Sequence, residues 1–212
     1  MSKIAVLDLG AGNLHSVGKA LECVAPDHQV LITENSKVIL DCEHVVIPGQ
    51  GAIGSWFQCL EKLALFDIVE AVLESRPVLG ICLGLQALYG FSEEDGGVDG
   101  FGWLSGRVKR FPIEHGDSQR KLKVPHIGWN NVQQVAPHPL WRNIPNNARF
   151  YFVHSYYAES NELIEVSGRT HYGLSFVSAA TRSNVFAVQF HPEKSHAQGL
   201  NFLRNFVSWD GS

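Results

Sequence analysis

Through the first half of the chain, compact apolar runs alternate with stretches whose apolar residues recur at helical spacing. Residues 4–7 are one such run, ending in Asp8-Leu-Gly-Ala-Gly-Asn, the pattern of a buried strand entering a glycine turn. Leu14, Val17, Leu21 and Val24 then predict a helix over 13–25. Short strands follow at 30–33 and 45–47, the latter stopped by Pro48-Gly49-Gln50-Gly51. Helical spacing resumes at Ile53 and continues, with a break, to Leu73. Residues 77–81 read as a fourth strand that turns directly into a helix at Cys82–Leu88. Beyond residue 120 the rhythm changes. Runs at 124–135, 150–157, 163–169, 174–180 and 185–190 are β-like and separated by turn residues. Leu200, Leu203, Phe206 and Val207 then give a closing amphipathic helix after His191-Pro192. Strands alternating with helices predict an α/β fold of three layers, flavodoxin-like, around a mostly parallel central sheet. The second half predicts an antiparallel extension of that sheet. No repeat or linker divides the chain, and the most loop-like stretch, 92–102, is short, so residues 1–212 read as one domain.

Composition narrows the field. At 212 residues, 45% hydrophobic and 18% charged, the chain is long enough for one well-buried core and unlike a disordered or coiled-coil sequence. Seventeen basic against twenty-one acidic residues leave a net charge of −4, the wrong sign for a general nucleic-acid binder. No apolar stretch reaches the ~18 residues of a membrane helix, and Asp8 interrupts the first apolar run before a signal-peptide core can form. The four cysteines, at 23, 42, 59 and 82, have neither zinc-site spacing nor the look of a disulfide framework. A reducing, cytoplasmic location without membrane partners is the expectation. Ten histidines are present, but none pairs with another as in a helical H-E-x-x-H site, so no metal centre is expected.

One cysteine stands apart. Gly80-Ile-Cys-Leu-Gly84 lies where a strand becomes a helix, the setting of a nucleophile elbow, and glycines two positions to either side remove β-carbons that would collide in so tight a turn. The helix N-terminus favours a thiolate at Cys82. Cys23, Cys42 and Cys59 lack such a setting and read as bystanders. A thiolate attacking a carboxamide needs an imidazole to protonate the leaving nitrogen and a third group to hold that imidazole. His191 emerges at the end of an apolar strand, and the turn through Pro192 can bring Glu193 beside its ring. In Pro48-Gly49-Gln50-Gly51, two glycines permit unusual backbone angles, and N–H groups there, with that of Leu83, are candidates for an oxyanion hole.

Taken together and in this order, PGQG, GICLG and HPE resemble the class I (triad-type) glutamine amidotransferases. The order Cys, then His-x-Glu, departs from the Ser, Asp/Glu, His order of α/β-hydrolases. Asp8-Leu-Gly-Ala-Gly-Asn-Leu, Pro125-His-Ile-Gly-Trp-Asn, Phe152-Val-His-Ser-Tyr and Gln189-Phe-His-Pro-Glu-Lys-Ser further resemble the glutaminase subunits of imidazole glycerol phosphate synthases, over residues 3–207. Gln50 stands where that family more often has valine, which bears on how the loop rearranges.

The resemblance implies a Cys82–His191–Glu193 triad that hydrolyses L-glutamine through a thioester, without a cofactor. It implies an oxyanion loop at Gly49, Gln50, Gly51 and Leu83. Gln86, Glu94 and Ser155 match positions that hold the substrate amino acid, Glu94 as a partner for the α-ammonium, Gln86 through amide hydrogen bonds and Ser155 through backbone N–H groups at the carboxylate. Asn13, Trp129, Tyr151 and Lys194 match positions near a partner, a (β/α)8-barrel cyclase subunit that receives the ammonia in a heterodimer. Its products are imidazole glycerol phosphate and an aminoimidazole carboxamide ribotide. Other readings stay open at this level: the same glutaminase feeding an anthranilate, purine or pyridoxal-phosphate pathway, a stand-alone cysteine hydrolase or peptidase, and a catalytically silent binding subunit.

Overall fold

A computed structural model describes residues 2–10, 13–112 and 122–212. Ala11 and Gly12 of the first glycine turn lie outside the described residues. The first half runs β1 (Ser2–Leu7), α1 (Leu14–Val24), β2 (His28–Thr33), α2 (Ser36–Asp41), β3 (His44–Gly49), α3 (Ile53–Lys62), α4 (Phe66–Ser75), β4 (Val78–Cys82) and α5 (Leu83–Ala87). Two short strands, β5 (Phe91–Ser92) and β6 (Val98–Asp99), precede β7 (Gly106–Arg110). The second half contributes β8 (His126–Gln134), β9 (Ala148–His154), β10 (Tyr156–Ser160), β11 (Val166–Tyr172), β12 (Leu174–Arg182), β13 (Val185–Val188) and α6 (His196–Val207).

The strands form one sheet in the order β2-β1-β3-β4-β13-β12-β10-β7-β5-β6, with β11 branching from β12, β8 from β11 and β9 from β8. From β2 to β13 every pairing is parallel, and from β13 onward nearly all are antiparallel. The fold is thus the mixed α/β architecture that the alternation of strands and helices predicts, with its antiparallel extension.

Strand periodicity builds the layers. Side chains alternate between faces, so Ile4, Val6, Val46, Leu79, Ile81, Phe186 and Val188 join one apolar cluster with Val17, Leu21 and Val24 of α1 and Phe202, Leu203 and Phe206 of α6. Their neighbours Ala5, Leu7, Val45, Ile47, Val78 and Ala187 join a second cluster with Ile39 of α2, Trp56, Phe57 and Leu60 of α3, and Val69, Val72 and Leu73 of α4. Burial on both faces explains why these strands read as continuous apolar runs rather than alternating ones.

The structure differs from the sequence reading in a few elements. The break in the 53–73 helix falls at residues 63–65, where Ala64 takes a left-handed φ of 53°. The helix α2 has no sequence counterpart because it buries only Ile39; its start is set by Asn35, whose side-chain oxygen accepts from the N–H groups of Lys37 (3.0 Å) and Val38 (3.2 Å). The strand β7 is equally silent, with Val108 its one buried residue, and is specified by its pairing with β10. The run at 163–169 is only partly a strand: Leu163–Glu165 is a 3-10 turn with Leu163 and Ile164 exposed, and β11 begins at Val166.

At the sheet's centre α5 packs against β3 so closely that a β-carbon on Gly84 would strike the carbonyl oxygen of Ile47. One on Gly80 would stand 2.9 Å from the Gly84 oxygen and 3.0 Å from the Ala187 β-carbon. Gly84→Ala should therefore cost stability, roughly 1–3 kcal/mol as for other overpacked sites. Gly90→Ala, whose added carbon would find nothing nearer than 3.9 Å, should fall within about 0.5 kcal/mol of the parent. Urea unfolding of the two variants side by side checks the contrast.

Candidate active site

Cys82 ends β4 at φ 57° and ψ −106°, a backbone conformation that few non-glycine residues adopt. This turn lifts the side chain off the C-terminal edge of the parallel strands, where open α/β sheets place their ligands. The sulfur lies 3.9 Å from the Val153 carbonyl oxygen and 3.7 Å from Nε2 of Gln189. Of the other cysteines, Cys42 bonds to the Val38 carbonyl oxygen (3.1 Å), with burial pushing its thiol up, Cys59 bonds to that of Leu9 (2.9 Å), and Cys23 is exposed.

His191 follows the end of β13, which lies beside β4 in the sheet. Its Nδ1 is 2.8 Å from Oε1 of Glu193, whose side chain is 1% exposed. Its Nε2 is buried and makes no well-aligned hydrogen bond among the described residues. Burial, the largest single influence on this imidazole, disfavours its charge, but Cys82, as a nearby charge and acceptor, and then Glu193 together outweigh it and lift the ring to about 10. The main chain here is clamped from outside: the His191 N–H donates to the Tyr151 carbonyl oxygen (2.9 Å), the Tyr151 N–H to Oγ of Ser195 (3.0 Å), and that hydroxyl to the His191 carbonyl oxygen (2.6 Å).

Around the sulfur is a cavity of about 350 Å³ lined by Gln50, Gly51, Cys82, Leu83, Gln86, Glu94, Ser155, His191 and Lys194, with Pro125, Val153, His154 and Tyr156. Glu193 stands behind His191. Gly49 also lies outside the lining, in β3 opposite Cys82, and its reason for being glycine differs from the expectation. Only Gly51 uses the left-handed region, at φ 86°, whereas a β-carbon on Gly49 would come within 2.8 Å of the Leu83 β-carbon and 3.0 Å of the Trp56 indole nitrogen. Close packing, not an unusual backbone angle, requires Gly49.

Gln86 lies one helical turn beyond Cys82 and both its N–H groups are occupied, by the carbonyl oxygen of Tyr156 and by Oε1 of Gln189, each at 2.9 Å. Its side-chain oxygen is the end left free, so toward a substrate Gln86 can accept but not donate. Glu94 accepts from the Ile53 N–H at the start of α3 (3.0 Å), and burial raises its carboxyl despite that bond.

Of the expected partner-facing residues, Lys194 reaches the cavity, with its Nζ 5.9 Å from the Tyr151 ring centre. Tyr151 is paired across the strands with Trp129, their rings 6.1 Å apart, and Trp129 stacks on His196 at 5.0 Å. Asn13 is at the start of α1, its side-chain oxygen accepting from the Ser16 hydroxyl (2.7 Å). Residues that sequence reasoning did not single out are Gln189, Ser195 and the buried pair His126–His154, joined at 2.9 Å. Burial holds His126 at about 4 and His154 at about 3, so both are neutral. For Gln189 a signal existed: it precedes His191 by two in the sequence, at the end of the apolar run that carries it.

The arrangement supplies a cysteine sulfur on an elbow, a buried imidazole, and a carboxylate hydrogen-bonded to that imidazole. These are the parts of nucleophilic amide cleavage. The glutamine amidotransferase class-I family matches residues 5–209, and the chain belongs to that family. Within it, the chain is 51% identical over 211 residues to imidazole glycerol phosphate synthase subunit HisH of Pseudomonas syringae pv. syringae, covering 100% of this chain and 99% of that protein. It is 53% identical over 211 residues to the subunit of the same name from Nitrosococcus oceani, with the same coverage. Among solved structures, a glutamine amidotransferase superposes with a TM-score of 0.70 at 15% identity, over 97% of each chain, a likeness of fold.

The elevated imidazole has a consequence for stability. Its folded value, about 10, exceeds its ordinary 6.5. The stability this contributes is therefore full below pH 6.5 and lost as pH rises toward about 10. Glu193→Gln removes one raising partner, so urea unfolding across that window should show a smaller loss in the variant than in the parent. Equal losses would assign the elevation elsewhere.

Proposed function

We propose that this chain is the glutaminase subunit of an imidazole glycerol phosphate synthase in histidine biosynthesis, a cytoplasmic enzyme, with residues 1–212 acting as one amidotransferase domain. The observation that carries the reading is the single cavity in which Cys82, His191, Gln86, Glu94 and Ser155 meet, in a chain about half identical to HisH subunits along its whole length.

The Cys82 sulfur attacks the side-chain carbonyl carbon of L-glutamine. N–H groups of the 49–51 loop and of Leu83 stabilise the resulting oxyanion. His191, already protonated, gives its proton to the departing nitrogen, so that the C–N bond breaks and ammonia leaves with a thioester behind it. The now neutral imidazole takes a proton from water, whose oxygen attacks the thioester; glutamate leaves and the Cys82 thiolate is restored beside the protonated imidazole. Glu193 fixes the ring throughout. The free oxygen of Gln86 accepts from the substrate's N–H groups, the Glu94 carboxylate pairs with its α-ammonium, and backbone N–H groups at Ser155 hold its carboxylate.

Free ammonia in neutral water is mostly ammonium, which is no nucleophile, so a glutaminase that feeds a synthase gains by passing NH3 directly across an interface. The partner is a cyclase subunit, a (β/α)8 barrel, bound as a heterodimer and yielding imidazole glycerol phosphate and the carboxamide ribotide. Asn13, Trp129, Tyr151 and Lys194 form its docking face. In support of this, Lys194 and Tyr151 join the cavity to the partly exposed Trp129 through a cation–ring contact and an edge-to-face ring contact. Tyr151 also accepts from the His191 N–H, so a partner pressing on that face bears directly on the catalytic turn.

Cys82→Ala, assembled with the cyclase, should lose glutamine-dependent synthesis by at least about a thousandfold while added ammonium salts still support turnover. Survival of glutamine-dependent turnover would refute the nucleophile. Trp129→Ala should weaken the complex by about tenfold or more, as for a buried aromatic anchor, with titration calorimetry as the measurement. An unchanged affinity would move the interface elsewhere.

A further inference from the structure

Gln189 is fully buried and sits between two residues of the proposed reaction, with a direction that its surroundings dictate. A backbone carbonyl can only accept, and the Tyr156 oxygen takes one N–H of the Gln86 amide at 2.9 Å and the Nδ1 of His154 at 2.7 Å. Gln86 must therefore turn its nitrogen inward. Its second N–H then meets Gln189 at 2.9 Å, so the Gln189 atom there must be the oxygen. With its oxygen committed, the Gln189 nitrogen is the end that reaches the Cys82 sulfur, at 3.7 Å. The sequence brings these groups close: Gln189 directly follows β13, two residues before His191, and Gln86 follows Cys82 by one helical turn.

We infer that Gln189 is a positioning residue for glutamine hydrolysis: it presents an N–H donor to the Cys82 sulfur and holds Gln86 so that its carbonyl oxygen, not its amino group, meets the substrate. The inference rests on Cys82 being the nucleophile. A donor aimed at sulfur favours the thiolate that attacks and steadies the thiolate that is released when the thioester breaks. The two ends of one side chain thus serve different parameters. The nitrogen acts on the chemical step, and the oxygen, through Gln86, acts on binding.

Two substitutions separate them, tested in the full chain assembled with the cyclase. Gln189→Glu keeps an oxygen for Gln86 but turns a negative oxygen toward sulfur. It should lower kcat and the rate of Cys82 alkylation by iodoacetamide at neutral pH by about tenfold or more, with KM for glutamine nearly unchanged and the alkylation profile moved to higher pH. Gln189→Met keeps the volume but removes both polar ends, so kcat should fall similarly and KM should rise as well. Ammonium-driven synthesis should stay within about twofold in both, since neither touches the cyclase. A purely structural role predicts no difference between the variants in the KM split and no movement of the alkylation profile, and that result overturns the inference. So does parental kcat and alkylation in either variant. If Cys82→Ala is dead with glutamine while the Gln189 variants behave as the parent, the inference alone falls; glutamine turnover by Cys82→Ala removes the nucleophile and the inference with it.

Discussion

The contact between α5 and β3 is the constraint from which the site follows. With Gly84 pressed against the Ile47 carbonyl and Gly80 against Gly84 and Ala187, the chain can turn from strand to helix within one residue, and that residue is Cys82. The left-handed backbone it adopts is unfavourable in isolation and is held only because β3, β4 and β13 lie side by side beneath it. A larger residue at either glycine pushes the helix away, and the thiol, the cavity wall formed by Leu83 and the placement of Gln86 are displaced together. The same close approach dictates Gly49, opposite Cys82 in the register, where a side chain would collide with Leu83.

A second constraint is electrostatic. An imidazolium is costly to bury, and His191 is buried, so its charge survives only because Cys82 and Glu193 compensate from two sides. This sets it apart from His126 and His154, which are buried without a carboxylate and stay neutral. The catalytic turn gains its rigidity from Ser195, which ties the His191 carbonyl to the Tyr151 main chain. A residue on the proposed docking face and the proposed general acid, His191, therefore share one hydrogen-bonded clamp, a physical link between the two that needs no long pathway.

Much of this was legible in the sequence because it is local. The strand-to-helix junction at Cys82 shows in the glycine spacing, the pairing of His191 with Glu193 in the two-residue separation across Pro192, and the buried parallel strands in their unbroken apolar runs. What was not legible is weakly patterned or non-local. The helix α2 and the strand β7 each bury a single residue and owe their existence to a cap and to a neighbouring strand. Leu163 and Ile164, apolar enough to read as strand, lie exposed on a turn.

The sequence by itself determined the alternation of elements, the cysteine at the strand-to-helix turn and the imidazole–carboxylate pair, because each depends on residues a few positions apart. Only the tertiary structure decided which way the Gln86 amide faces, why Gly49 must be glycine, and that Gln189 stands between Gln86 and Cys82. Those outcomes depend on atoms brought together from residues far apart in the chain, up to 107 positions for Gln189 and Cys82, where a carbonyl that can only accept and a wall that leaves no room for a β-carbon impose an order that no local pattern encodes.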